Sequence, residues 1–451
     1  MEQNSTSAAN EAATLAGLNP RKLFILSCLC LATTSMSFIF RGSIASDLKS
    51  EIFDPIDAIH SAALLGDALG WAFPGFAFMV LIGSAIVDFL GMRNLLLLCG
   101  ANFILGTVLV VGANSIASGD GASTLVAIGM FLHGLGWGCS ETVINPLTTA
   151  IYPNDKTHRL NVLHAWWPAG IVIGGVLALL AAEMNLGWRL EFGIMLLPAV
   201  LILVMTLGTK FPKTERVAAG VTTSEMYKET LRPGFLLFFG AMFLTASAEL
   251  APGQWVDMAL TRTVGMRGII LMIYVAGLMF VMRHFAGAMV RKLSLVGLLW
   301  VSCLLASIGL VWLSVADSPV SGLLAATVWG VGVCYMWPTM LAAAAERYPK
   351  SGAFGMGLIG SAGAAAIKFV LPEMGAIFDA EKIKVAGGAE AYTALTGTAK
   401  DAVDAAASAA SFQFVAILPA VLLIVFGGIW LSDKRKGGFK AEQLTTSQAA
   451  E

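Results

Sequence analysis

Glu141, Asn145 and Thr148 stand at i, i+4 and i+7 inside a long apolar stretch, so one helical face can present all three. A carboxylate at the middle of a bilayer costs roughly 2.5 kcal/mol or more unless it faces protein or water. Glu141 is therefore expected to face a central cavity rather than lipid; the plainer alternative is an ion pair that only locks helices. The next apolar run brings Asn161, His164 and Pro168 to one face, with Trp167 close to it and Trp166 turned away. Carboxylate, amide and imidazole supply donors and acceptors, and an indole supplies a flat apolar surface. That combination suits a polyhydroxylated ring with polar rims and a C–H face. Packing alone is the competing account of the histidine and the tryptophans. Further along, Glu249 precedes Pro252, Gly253 and Gln254, where a helix lining a cavity can unwind and expose backbone polar groups. Glu249 and Gln254 are thus candidate solute contacts, with a snorkelling helix end as the alternative. Trp337 beside Pro338 raises the same reading more weakly.

The elements that must position these groups are set by hydropathy. The chain has 451 residues, 57% of them hydrophobic and only 13% charged, with a mean hydropathy of +0.78. Soluble domains carry about 25% charge, so this balance belongs to a membrane protein. A bilayer core needs about 20 apolar residues in helical form. Twelve runs qualify, near 23–46, 58–82, 94–113, 122–149, 161–182, 189–209, 234–256, 268–288, 293–315, 321–345, 353–378 and 411–432. Their continuity, without period-two alternation, excludes a barrel. The expected fold is all-α: twelve spans in two pseudo-symmetric six-helix bundles, 21–209 and 234–432, joined by the charged linker 210–233. Residues 1–20 read as a disordered tail, 380–410 as an outside loop with a short Ala-rich surface helix, and 433–451 as a second tail. Arg21-Lys22 precedes a run too long for a signal-peptide core, so the first span is expected to stay uncleaved.

With both ends inside, 18 of the 28 Lys and Arg fall on the cytoplasmic side, seven outside, and Arg41, Arg283 and Lys368 within spans. The bias favours cytoplasmic termini in a cell membrane. The net charge of −1 gives no reason to expect a nucleic-acid partner. All six cysteines lie in apolar runs and read as packing residues, with no metal set and no cofactor motif. No GxxxxGK[ST] loop occurs, which leaves direct ATP drive unsupported. No nucleophile–base pair stands out, so an enzyme is not the expectation.

The two halves resemble each other. "GSAIVDFLGMRN" (83–94) has a counterpart in "RHFAGAMVRKLS" (283–294), and "NPLTTAIYP" (145–153) one in "WPTMLAAAAERYP" (337–349). A duplicated six-helix unit points to a transporter that rocks around a central site. Asp88 to Arg93, with Gly91 between, is similar to the loop between the second and third helices of the major facilitator superfamily, although Ser84 and Met92 depart from its pattern. Glu141, Asn145-Pro146, Arg159-Leu160-Asn161, His164 and Gly170 resemble the fucose/glucose–galactose permease branch. So do "ASAELAPGQW" (246–255), "MRHFAGAMVRKLS" (282–294) and the stretch 337–366.

The resemblance implies a monomeric secondary transporter of a polar solute, most simply a sugar coupled to protons, with His164 near substrate. It also implies Asp88 and Arg93 as a cytoplasmic latch. One departure matters: the branch's fucose permeases carry a first-helix acid, and "SMSFIFRGSIA" (35–45) offers Arg41 instead. Glu141 becomes the leading proton carrier, with Asp67 and Glu249 in reserve. Arg41 is expected to pair with Asp67 or Glu141; unpaired, it would favour a facilitator or exchanger of a small organic anion. A receptor that binds solute without moving it is the alternative from another class.

Overall fold

The structure is a computed structural model that describes residues 17–57, 61–264, 268–442 and 444. The expected tail over residues 1–20 therefore lies almost wholly outside the described residues, as does most of the second tail beyond 442. Eleven helices among the described residues are long and apolar enough to cross a membrane, or twelve with one bent pair counted as a span. They are α1 Pro20–Ser43, α2 Leu64–Leu90, α3 Met92–Ile116, α4 Asp120–Ile151, α5 Lys156–Glu183, α6 Trp188–Leu207, α7 Pro233–Pro252, α9 Leu295–Ser314, α10 Pro319–Arg347, α11 Pro349–Ala386 and α12 Gly397–Arg435, with the bent pair Ile273–Arg283 and Ala286–Leu293 as α8.

The chain divides into two compact units. One holds Met1–Thr230 with Tyr348–Leu358 and Gln443–Glu451; the other holds Leu231–Arg347 with Ile359–Glu442. In the first unit α4 is the central helix, packed on α2 and α3, while α1 packs on α5. Small residues set these distances. A Cβ at Gly134 would overlap the Ala72 carbonyl of α2, and one at Gly138 would lie 2.5 Å from Met79 Cβ. The small-xxx-small pair thus serves close helix approach, as its spacing suggests. Gly170 does the same between α5 and α1, where a Cβ would overlap Ser35 Oγ and the Ala32 carbonyl.

Prolines explain most interruptions. A proline lacks an N–H and its ring clashes with the carbonyl four residues back. Helical pairing lapses at Trp71, Ala165, Ile194–Met195 and Cys334–Tyr335, three or four residues before Pro74, Pro168, Pro198 and Pro338. The predicted unwinding at Pro252-Gly253 does not occur: the helix runs Pro233–Val264 through Pro252. The carbonyl that Pro252 would leave unmet, Ala248 O, accepts a hydrogen bond from Trp329 Nε1 at 3.0 Å instead.

The eighth span differs from the continuous 268–288 run that hydropathy predicts. It bends by 65° at His284–Phe285 and continues to Leu293. There the His284 ring bonds the Phe280 carbonyl through Nδ1 at 2.7 Å, while the His284 backbone N–H turns to Val281 O. Within the 380–410 segment, expected to carry a short Ala-rich surface helix, an exposed helix covers Ala389–Ala394, while α11 extends to Ala386 and α12 begins at Gly397.

Candidate functional site

On α4 the spacing of four places Glu141 and Asn145 one above the other. Asn145 Nδ2 donates to Glu141 Oε2 at 2.7 Å and to the Glu141 carbonyl at 3.0 Å. His164 Nε2 lies 2.9 Å from Asn145 Oδ1. An ionised carboxylate only accepts, so the amide must turn Nδ2 toward Glu141 and Oδ1 toward His164. His164 Nε2 therefore carries the hydrogen of that bond. The result is one polarised line, His164 to Asn145 to Glu141, joining α5 to α4. His164 owes its place to Pro168, which ends the first segment of α5 at His164. All three residues are buried, Glu141 to 7% of its surface. No cation pairs with Glu141 among the described residues, which sets aside the plain helix-locking ion pair.

Trp167 is half-buried and stands beside this line. Its ring centroid lies 5.3 Å from that of Trp137 and 6.2 Å from Phe38. Trp137 stacks on Phe76 at 3.8 Å, and Phe73 lies 6.3 Å from Trp137. Sequence reasoning missed Trp137, although its place four residues before Glu141 puts it on the same face. Its indole Nε1 is buried, with its side chain directed at the Glu141 carboxylate. Asn161 is fully buried and donates to the Thr157 carbonyl at 2.8 Å, one turn before His164.

Among the described residues, the expected Arg41 ion pairs are absent. Asp67 is exposed, and Arg41 reaches only the Leu69 carbonyl, at 3.5 Å. Charge sign alone suggested partners that the helix geometry keeps apart. A second buried polar group escaped the sequence reading as well. His133 of α4 holds Ser37 Oγ at 2.6 Å through Nδ1 and Thr107 Oγ1 at 3.1 Å through Nε2, tying α1, α3 and α4. The only sequence signal was a histidine inside an apolar run.

The second unit places Glu249 at two helix breaks. Its Oε1 pairs with Arg283 Nη2 at 2.9 Å, and its Oε2 accepts the Trp337 backbone N–H at 3.2 Å. That N–H is one of the unsatisfied donors at the start of the helix Met336–Arg347, where the dipole favours an anion. Arg283 Nε donates to the Cys334 carbonyl at 2.6 Å, the group that Pro338 cannot pair. Tyr335 Oη returns the bond by donating to Met282 O at 2.7 Å. Glu249 is thus buried and paired, not a snorkelling end. The Trp337 ring packs so closely on α11 that a Cβ at Gly363 would lie 2.5 Å from it. The Gln254 side chain lies outside the described residues.

Asp88 and Arg93 do not meet. Asp88 pairs with Arg216 of the linker and accepts from Thr214 Oγ1, whereas Arg93 is exposed and bonds the Leu207 carbonyl at 3.4 Å. The linker itself forms short helices, Glu215–Ala218 and Thr223–Thr230, and Lys156 Nζ reaches Glu215 Oε1 at 2.7 Å. No group of His, Cys, Asp or Glu suited to a metal occurs among the described residues.

Eleven apolar helices among the described residues, or twelve with the bent pair, and the buried polar side chains inside each half define a polytopic membrane protein of transporter type. Residues 20–369 match the model of the Major Facilitator Superfamily, and the chain belongs to that family. Among curated proteins it is similar to myo-inositol transporter 2 of Schizosaccharomyces pombe, 26% identical over 116 residues. That match spans 26% of this chain and only 20% of the relative. Among solved structures it resembles the E. coli fucose:proton symporter, with a TM-score of 0.63 at 16% identity, covering 88% of this chain and 98% of that one. It also resembles a human organic anion transporter, with a TM-score of 0.64 at 15% identity, covering 90% and 99%. At these identities the likeness establishes the fold.

Proposed function

We propose that the chain is a secondary transporter that carries a polyhydroxylated, sugar-like solute together with protons by alternating access. The observation that carries this reading is the His164–Asn145–Glu141 line lying beside the Trp137–Trp167 pair. The line offers donors, acceptors and one titratable carboxylate; the indoles offer the apolar surface that the C–H face of a ring requires. Glu141 is the coupling residue, because Asp67 is exposed and Glu249 is committed to Arg283 and a helix start. A carrier must gain a proton on one side and lose it on the other, and a carboxylate free of any fixed cation can do so. Trp167 stacks on the solute while His164 and Asn161 hold its rim. The names of the fucose:proton symporter and the myo-inositol transporter support the solute class. The protein works as a monomer in the cell membrane with both termini cytoplasmic, as the Lys and Arg bias suggests.

Labelled uptake into proteoliposomes tests the reading. A panel of labelled sugars, polyols and their acids is offered with and without an inward proton gradient. Accumulation of at least one solute above its bath concentration, abolished by a protonophore, is the expected result. Binding without any uptake would instead make the protein a receptor and overturn the proposal.

A further inference from the structure

Arg41 is 7% exposed in the last turn of α1, yet no carboxylate pairs with it among the described residues. Its guanidinium lies 5.3 Å from the Phe38 ring centroid and 5.5 Å from that of Phe73. Its one hydrogen bond, from Nη1 to the Leu69 carbonyl, is at the limiting distance of 3.5 Å, and its Nε is buried with no partner. A guanidinium stays charged and presents five donors in a planar fork. Buried cations are ordinarily paired, because leaving them unpaired is strongly unfavourable. The negative end of α1 and the two aromatic rings offset part of that cost, but neither accepts the Nε hydrogen bond. Arg41 is built for an acceptor that the protein itself does not supply.

The same aromatic run links it to the candidate site. Phe38 adjoins Trp167 at 6.2 Å, Phe73 adjoins Trp137 at 6.3 Å, and the two indoles adjoin each other at 5.3 Å. Trp137 Nε1 is also buried, with its side chain directed at the Glu141 carboxylate. An unmet N–H donor on Arg41 thus borders one run of rings that leads to Trp137, a single turn from Glu141. We infer that the solute is a sugar acid, a polyhydroxylated carboxylate whose carboxylate is bound by Arg41 while its ring lies on the indoles. Planar bidentate pairing is what a guanidinium fork offers a carboxylate. The hydroxyl rim then meets the His164–Asn145–Glu141 line. A neutral sugar would leave the Arg41 donors unmet. This inference rests on the transport reading above and narrows its substrate class.

The test uses the purified full-length chain and matched probes: D-glucuronate against D-glucose, D-galacturonate against D-galactose, and D-gluconate against D-sorbitol. Affinity is read from tryptophan fluorescence and from the ligand-induced shift in Tm. At least one acid is expected to bind tenfold or more tighter than its neutral counterpart. Arg41→Gln should weaken that acid by roughly tenfold or more, the range for a hydrogen bond to a charged group, and leave the neutral probe nearly unchanged. Arg41→Lys, which keeps the charge without the fork, should retain part of the preference. Should Arg41→Gln fail to fold, Arg41→Lys and the parent panel still decide. Neutral probes binding with the acids silent would overturn the inference and leave the transport reading standing. Equal acid affinity in the parent and a folded Arg41→Gln variant would overturn it too, making Arg41 structural. No binding and no uptake by either class would remove the transport reading and this inference together.

Discussion

Asn145 holds the candidate site together, because its one side chain serves both neighbours: Nδ2 to Glu141 and Oδ1 to His164. Asn145→Leu would strip both bonds while keeping the volume, so the buried Glu141 carboxylate and the buried His164 Nε2–H would each lose the bond to Asn145. Each such loss costs about 1–3 kcal/mol, so the variant should unfold at a clearly lower temperature and lose solute binding. An unchanged Tm would mean that the line does not stabilise the fold. Trp167→Ala should weaken solute binding by roughly 1–3 kcal/mol if the ring stacks on the ligand, by analogy with aromatic stacking elsewhere. An unchanged Kd in folded Trp167→Ala protein would remove the residue from the site. Residue types and spacing made Glu141, Asn145 and His164 legible, because a period near 3.6 puts i and i+4 together whatever the tertiary structure. Trp137 satisfied the same spacing and went unnoticed among ordinary packing aromatics. Pairing of Arg41 was not legible, since a charge in one helix says nothing of its distance from a charge in the next.

At the scale of elements, two side chains serve carbonyls that proline leaves unpaired: Trp329 at Ala248 and Arg283 at Cys334. This yields a sharp expectation for the continuous seventh helix. Trp329→Phe removes one hydrogen bond and should cost about 0.5–1.5 kcal/mol. In a Pro252→Ala background the backbone N–H can reclaim Ala248 O, so the same change should cost measurably less. A thermal double-mutant cycle reads the coupling, and strict additivity would contradict the account. Spans were legible from hydropathy because lipid demands about 20 apolar residues. Their breaks were legible only in part. Proline marks where an N–H is missing, but whether the helix opens, as at Cys334, or runs on, as at Ala248, depends on a donor from another helix. The bend at His284 has no proline at all and arises from a side chain bonding the Phe280 carbonyl.

For the whole molecule, the division near residue 230 separates two units, and sidedness is the property that function most needs. All six cysteines are buried, so a single new thiol at an exposed position can report the side it faces. Thr396→Cys should react with an impermeant maleimide from outside the cell, and a cysteine in the 210–233 linker only after permeabilisation. The reverse pattern would invert the topology. The proposed coupling can be tested on the same scale with one substitution. Glu141→Gln keeps the hydrogen-bonding shape of the side chain but cannot titrate. Loaded into proteoliposomes, the variant should exchange labelled for unlabelled solute between equal pools at close to the parent rate. It should also fail to accumulate solute under an inward proton gradient that drives the parent. Accumulation equal to the parent's under that gradient would contradict the account and place proton coupling elsewhere.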